Sequence, residues 1–281
     1  MHWLDWMTDL AGLLLWLSWR GFGSQPVSAR PALTLASNLR PADGGPGRRS
    51  SLALPGLAML LLARASVHHG FSPHFAEAVP WSLGAVTVVF RSDLWLRILS
   101  HSVLSWVGLL LKAYLCFAFL ATLRRRDAEV DPITQSIRGE LGFLARWPYG
   151  LPMVVVLAMF GGLWLLVSPA LVAAGLAPAR MSTVHALQQA AVVSVGGMAF
   201  LKWPLVLLCL MRFVLDHVYL GTMPLWDHLH GTGGRLSGWL AHLPLKWGRI
   251  DLAPLAAAGL FWGVGHLLQG AAPRLFLRLP L

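Results

Sequence analysis

The sequence predicts an all-α, polytopic helical membrane protein: two parallel repeats of helix–amphipathic loop–helix, preceded by one or two N-terminal spans. Three observations carry this. Of 281 residues, 56% are hydrophobic and only 12% charged, about half the charged share of a soluble domain, and mean hydropathy is +0.63. Four apolar runs, 99–123, 151–176, 190–215 and 252–269, each come near or exceed the ~20 residues that cross a hydrocarbon core. Finally, the loop GTMPLWDHLHGTGGRLSGWLAHLPLKWGRIDLAPL (221–255) divides two such runs, as DPITQSIRGELGFLARWPYGLP (131–152) divides the other two.

The net charge is +10, from 22 basic and 12 acidic residues. In a soluble chain that excess would suggest nucleic acid. Here the basic residues lie in loops beside apolar runs, so they read as cytoplasmic loops near anionic lipid. Cys116 and Cys209 both fall inside apolar runs with no C-x-x-C spacing, which reads as two small buried hydrophobes rather than a disulfide or zinc site.

Taken in order, 1–19 reads as a retained short span or interfacial helix, because Asp5 and Asp9 stand where a secretory signal needs basic residues. Residues 20–51 are rich in Pro, Gly and Arg and read as a basic cytoplasmic loop. Within 52–98, residues 52–67 make a short span in which Arg64 can snorkel from near the helix end. Residues 78–90 are too short to span and are left as a peripheral, re-entrant or interfacial segment. Repeat 1 covers 99–177 and repeat 2 covers 183–270, with 271–281 as a short tail. The basic loops 124–150 and 216–251 are expected in the cytoplasm and 177–189 outside. Bacterial cytoplasmic (inner) membrane is the expected location.

The repeats echo one another in detail. A lysine and then a cysteine precede each loop, Lys112 and Cys116, then Lys202 and Cys209. Each loop holds a helical stretch, 133–147 and 225–243, near a loop proline, Pro132 or Pro224, and Pro224 sits where a helix begins. Pro254 opens the last helix, and Asp251 is placed to cap its free N–H groups. Gly231, Gly233 and Gly234 are read as allowing the loop to turn back.

On these residues the second unit resembles the YggT/YlmG family of small bacterial and plastid membrane proteins. That family's repeat has an arginine at a helix end, an N-P-[FLW] turn, a T-x-P and P-L-R-R-x-x-P stretch, and G-x-I-D-x-[AS]-P. Arg212, Met223-Pro224-Leu225, the stretch 236–244 ending in Pro244, and Gly248 through Asp251 to Pro254 stand in those positions. Met223 replaces the asparagine, Ala241-His242 the arginine pair, and Gly238 the middle proline. The first unit keeps Asp131-Pro132 and Arg146-Trp147-Pro148 but lacks G-x-I-D. The resemblance implies roles such as those linked with family members: cell division or envelope organisation, plastid biogenesis, cytochrome assembly and osmotic tolerance.

No residue set points to catalysis. G-x-S-x-G, H-E-x-x-H, a P-loop and paired carboxylates are all missing from the sequence. The expectation is a non-enzymatic protein that binds membrane lipid and protein partners in a complex, with no cofactor, nucleic acid or identified small-molecule substrate. Two alternatives stay open. Lys112 and Lys202, costly at ~2.5–3.5 kcal/mol each at a helix centre, could line the path of a small channel or transporter, or contact a partner subunit. A haem-binding electron-transfer subunit would need facing histidines at one depth, for which His101 and His266 are the surviving pair; His228 and His230 lack a clear third metal ligand beyond Asp227.

Overall fold

The computed structural model describes residues 2–21, 52–75, 78–91, 94–124, 131–148, 150–177, 182–219, 221, 223–240, 242–247 and 250–279. Most of the expected basic loop at 20–51 lies outside these residues, as does Gly248. The described chain is predominantly helical. Helices α1 (His2–Arg20) and α2 (Ala53–Phe75) come first, followed by α3 (Trp95–Leu123), the short α4 (Pro132–Leu141) and α5 (Leu151–Ala173). Then come α6 (Thr183–Gly197), α7 (Lys202–His217), the short α8 (Pro224–Ser237) and α9 (Ala253–Leu277).

Four of these segments are long and apolar enough to cross a membrane: Trp95–Leu123, Leu151–Ala173, Thr183–His217 and Ala253–Leu277. The chain is therefore a multi-pass membrane protein by length and composition. The third segment is α6 and α7 in series, joined by a 3₁₀ turn at Met198–Leu201. Helices α1 and α2 are outside this set. Asp5 and Asp9 interrupt the first, Arg64, His68 and His69 the second. The two run antiparallel, with Gly12 near Leu57 and Gly56 near Leu15.

The all-α expectation needs correcting at 78–91. There β1 (Ala78–Leu83) and β2 (Val86–Arg91) form an antiparallel hairpin, Leu83 paired with Val86 across a two-residue turn. Gly84 takes φ +58° at that turn, the left-handed conformation such turns demand. The strands alternate. Val79, Trp81 and Leu83, then Val86, Val88 and Phe90, are all buried, while Pro80, Ser82, Thr87 and Val89 face outward. Six residues at ~3.3 Å each carry the hairpin about 20 Å. Its tip meets the end of α6: a Cβ on Gly84 would lie 2.5 Å from the Val193 carbonyl oxygen, and one on Gly196 would lie 2.6 Å from Ala85 N.

The segment is thus not peripheral but wedged into the bundle, and α6 gives way to the 3₁₀ turn directly beyond the contact. Enclosure by protein is what non-helical backbone requires at membrane depth. Trp81, Leu83, Val88 and Phe90 join Leu115 of α3, Phe160 and Trp164 of α5 and Val193 of α6 in the largest buried cluster. A second cluster joins Leu208 and Cys209 of α7, Leu236 of α8 and Ala257 of α9.

Candidate functional site

The loop helices follow from their first residues. Asp131 is extended and accepts from Ile133 N at 3.1 Å, while Pro132 occupies the first turn of α4, where a missing N–H costs nothing. Pro224 opens α8 in the same way, after an extended Met223. Asp251, in a short β-pairing of Lys246–Trp247 with Ile250–Asp251, accepts from Ala253 N at 2.9 Å at the start of α9; Pro254 follows. Pro148 and Pro244 lie in the irregular segments after α4 and α8.

Two ionic clusters hold α8 in place. In the first, Asp131 Oδ2 accepts from Thr134 Oγ1 at 2.7 Å and lies 2.9 Å from Arg124 Nη1 and 2.6 Å from His228 Nδ1. The short His–carboxylate contact marks Nδ1 as the donor, and Arg124 also donates to the His228 carbonyl at 3.1 Å. In the second, Arg212 Nε bonds Asp216 Oδ2 at 2.9 Å, His230 Nε2 lies 3.0 Å from Asp216 Oδ1, and Arg212 Nη1 contacts the His230 ring. A third arginine, Arg235, donates from α8 to the Leu123 carbonyl at 2.7 Å. The H-x-H of α8 is therefore gripped from both sides, from the end of α3 and from α7.

The glycine run serves a different purpose from the one its composition suggests. Gly231, Gly233 and Gly234 lie within α8, not in a turn. A Cβ on Gly233 would lie 2.5 Å from Arg212 Cβ and 2.7 Å from the Leu208 carbonyl, and one on Gly231 would lie 3.1 Å from the Arg124 guanidinium. These glycines let α8 press onto α7 and let two arginines cross its surface.

Burial raises the Asp131 pKa, but hydrogen bonds from Thr134 and His228 and the Arg124 charge outweigh it, so the carboxyl titrates below its ordinary value. A carboxylate with a depressed folded pKa adds stability above its unfolded value, near 3.9, and loses it as pH falls through the folded pKa. Hydrogen-exchange protection of α4 and α8 is accordingly expected to hold at neutral pH and fall below about pH 4. Asp131→Asn keeps the cap but should show weaker protection at pH 7 and no further acid step; a full-size step in that variant would discount Asp131. On the far side of α4, burial lifts the Glu140 pKa against the opposing pull of Arg20, which lies 3.3 Å away.

A third polar cluster sits among α1, α2 and α3, and Arg64 is its centre. Its side chain is 3% exposed and does not snorkel. The guanidinium lies 2.8 Å from Asp5 and 2.7 Å from Asp9, and donates to Ser105 Oγ at 3.3 Å. His68 Nε2 lies 2.9 Å from the same Asp5 oxygen. The charges that exclude α1 and α2 from the set of apolar helices thus answer one another. Sequence reasoning missed this because it read Asp5 and Asp9 only against a signal peptide and Arg64 only as a snorkelling residue.

The two lysines part company. Lys202 is buried between α7 and α9: its Nζ donates to Gln269 at 2.7 Å, and Gly265 lies against its stem. Lys112 is half-buried, with Nζ 5.4 Å from the centre of the Phe200 ring and within electrostatic reach of Asp9. The histidines of the haem alternative have different neighbours. His101 packs on Phe90 and His68, whereas His266 stacks on Trp262. Among the described residues no group of three or more His, Cys, Asp or Glu could hold a metal ion.

Fold and site together define a multi-pass helical membrane protein with a clamped amphipathic helix beside its spans. Comparison with family models, curated proteins and solved structures gives no match.

Proposed function

We propose that the chain is a non-enzymatic integral membrane protein, of the bacterial cytoplasmic membrane, that organises or assembles a membrane complex or serves as its accessory subunit. One observation carries this reading. Helix α8 is fixed from beneath by Arg124, Arg212 and the Asp131 and Asp216 carboxylates, while Leu225, Trp239 (56% exposed) and Leu243 in and just after it remain exposed. A rigid, amphipathic, aromatic surface at the end of a span is suited to a partner helix, because little ordering entropy is lost on docking. The order α3–α4–α5 and α7–α8–α9, span, short helix, span, supports the duplicated-unit reading and the resemblance to the YggT/YlmG family.

Affinity isolation from gently solubilised membranes tests the proposal. The wild-type chain should retain a defined complex. Trp239→Ala should release it while leaving the fold intact. Gly233→Val, which displaces α8 from α7, should release it too. No reproducible complex, together with unchanged complexes in a deletion strain, would defeat the reading. The competing transport reading is weakened by the Lys202–Gln269 bond, which closes one of its two cations inside the bundle. Liposome flux abolished by Lys112→Met and Lys202→Met would reverse that ranking.

A further inference from the structure

Arg138 differs from four other arginines around the loop helices, and from the exposed Arg146 by being half-buried. Arg20, Arg124, Arg212 and Arg235 each bond a carboxylate or a carbonyl. Arg138, on the last turn of α4, is half-buried, and its guanidinium makes no hydrogen bond or ion pair to any described residue. It borders a shallow open groove with Ala121 and Thr122 at the end of α3, Ala145 and Trp147 after α4, and Pro152 in the first turn of α5. The groove therefore lies where one span ends and the next begins, the depth of lipid headgroups.

Among the described residues nothing nearby neutralises the cation. Glu140, the carboxylate nearest along α4, is buried and held by Arg20 through its side chain and its carbonyl, at 3.3 and 3.1 Å. The Thr122 hydroxyl proton goes to the Ala118 carbonyl at 2.7 Å, leaving its oxygen as a further acceptor rather than a competing charge. A half-buried guanidinium whose donors meet no acceptor among the described residues presents a fixed fork that matches a phosphate oxygen pair. The rest of the groove wall is apolar or aromatic, as the glycerol and upper acyl region of a lipid requires.

We propose that this groove binds the phosphate of an anionic phospholipid, with Arg138 as the anchoring cation and Trp147 beside the glycerol backbone. The proposal is independent of any protein docking on α8, since the groove belongs to α3, α4 and α5.

Native mass spectrometry of the detergent-solubilised protein tests it, using phosphatidylglycerol and phosphatidylcholine of matched chains. Both lipids carry the phosphate, but the choline cation of phosphatidylcholine offsets its charge, so about a 10-fold preference for phosphatidylglycerol is expected in the wild type. Arg138→Gln should bring retention down to the phosphatidylcholine level. Arg278→Gln, which removes an exposed arginine just past the end of α9, should leave it unchanged. Ala145→Trp fills the groove with the charge intact and should lower retention as far as Arg138→Gln does, so a folding defect in one variant does not decide the matter. Equal retention of the two lipids, or undiminished preference in both groove variants, overturns the site. Displacement of phosphatidylglycerol by millimolar inorganic phosphate would assign the groove to a soluble anion and overturn the lipid.

Discussion

Arg64→Met is expected to destabilise the protein by about 3–5 kcal/mol, the usual cost of removing one partner from a buried ion pair. The loss comes less from the missing attraction than from Asp5 and Asp9, left in contact with apolar helices and without their shared guanidinium. The thermal midpoint in detergent should fall accordingly. Removing the whole cluster in Asp5→Leu, Asp9→Leu, Arg64→Met should restore most of it, because apolar replacement of a complete buried network is often neutral or stabilising. That non-additivity is the signature to look for. An Arg64→Met protein that melts with the wild type would mean that the two carboxylates are solvated and that α1 does not pack against α2 as described.

Gly84→Ala should have the next largest effect. Its φ of +58° already disfavours a side chain, at ~1–2 kcal/mol. The new Cβ would also lie 2.5 Å from Val193 O and 2.8 Å from Gly197 N, both backbone atoms of α6 that cannot swing aside. Overpacking of this kind typically adds about 1–3 kcal/mol. Gly142→Ala separates the two contributions. Gly142 has the same φ of +58° but nothing within 4 Å of its ideal Cβ. The difference in thermal midpoint between the variants therefore reads the collision at the hairpin tip alone. Equal effects would show that the hairpin is not seated against α6.

The apolar spans were readable because each is a long, uninterrupted run whose signal is local. Pro224, Pro254 and Asp251 were readable for the same reason: their influence acts within two or three residues. The clusters were not. Arg64 finds Asp5 and Asp9 more than fifty positions away, and Arg124 finds His228 across 104 positions, distances at which periodicity carries no information. The hairpin lay between these cases. Val79, Trp81 and Leu83, then Val86, Val88 and Phe90, alternate with period two around Gly84, a strand signal obscured by attention to span length. The glycine run misled through its composition. Three glycines in four positions read as a turn, but docking on α7 overrides a poor intrinsic helix propensity.

One carboxylate ties this architecture together mechanically. Asp131 fixes the start of α4 through Ile133 N and Thr134, and through His228 it also holds α8. The two loop helices share a rivet. A load placed on the exposed face of one is passed to the other through the bonds to a single side chain, with no span needing to shift. Whatever seats on this end of the molecule meets one stiff plate rather than two independent flaps.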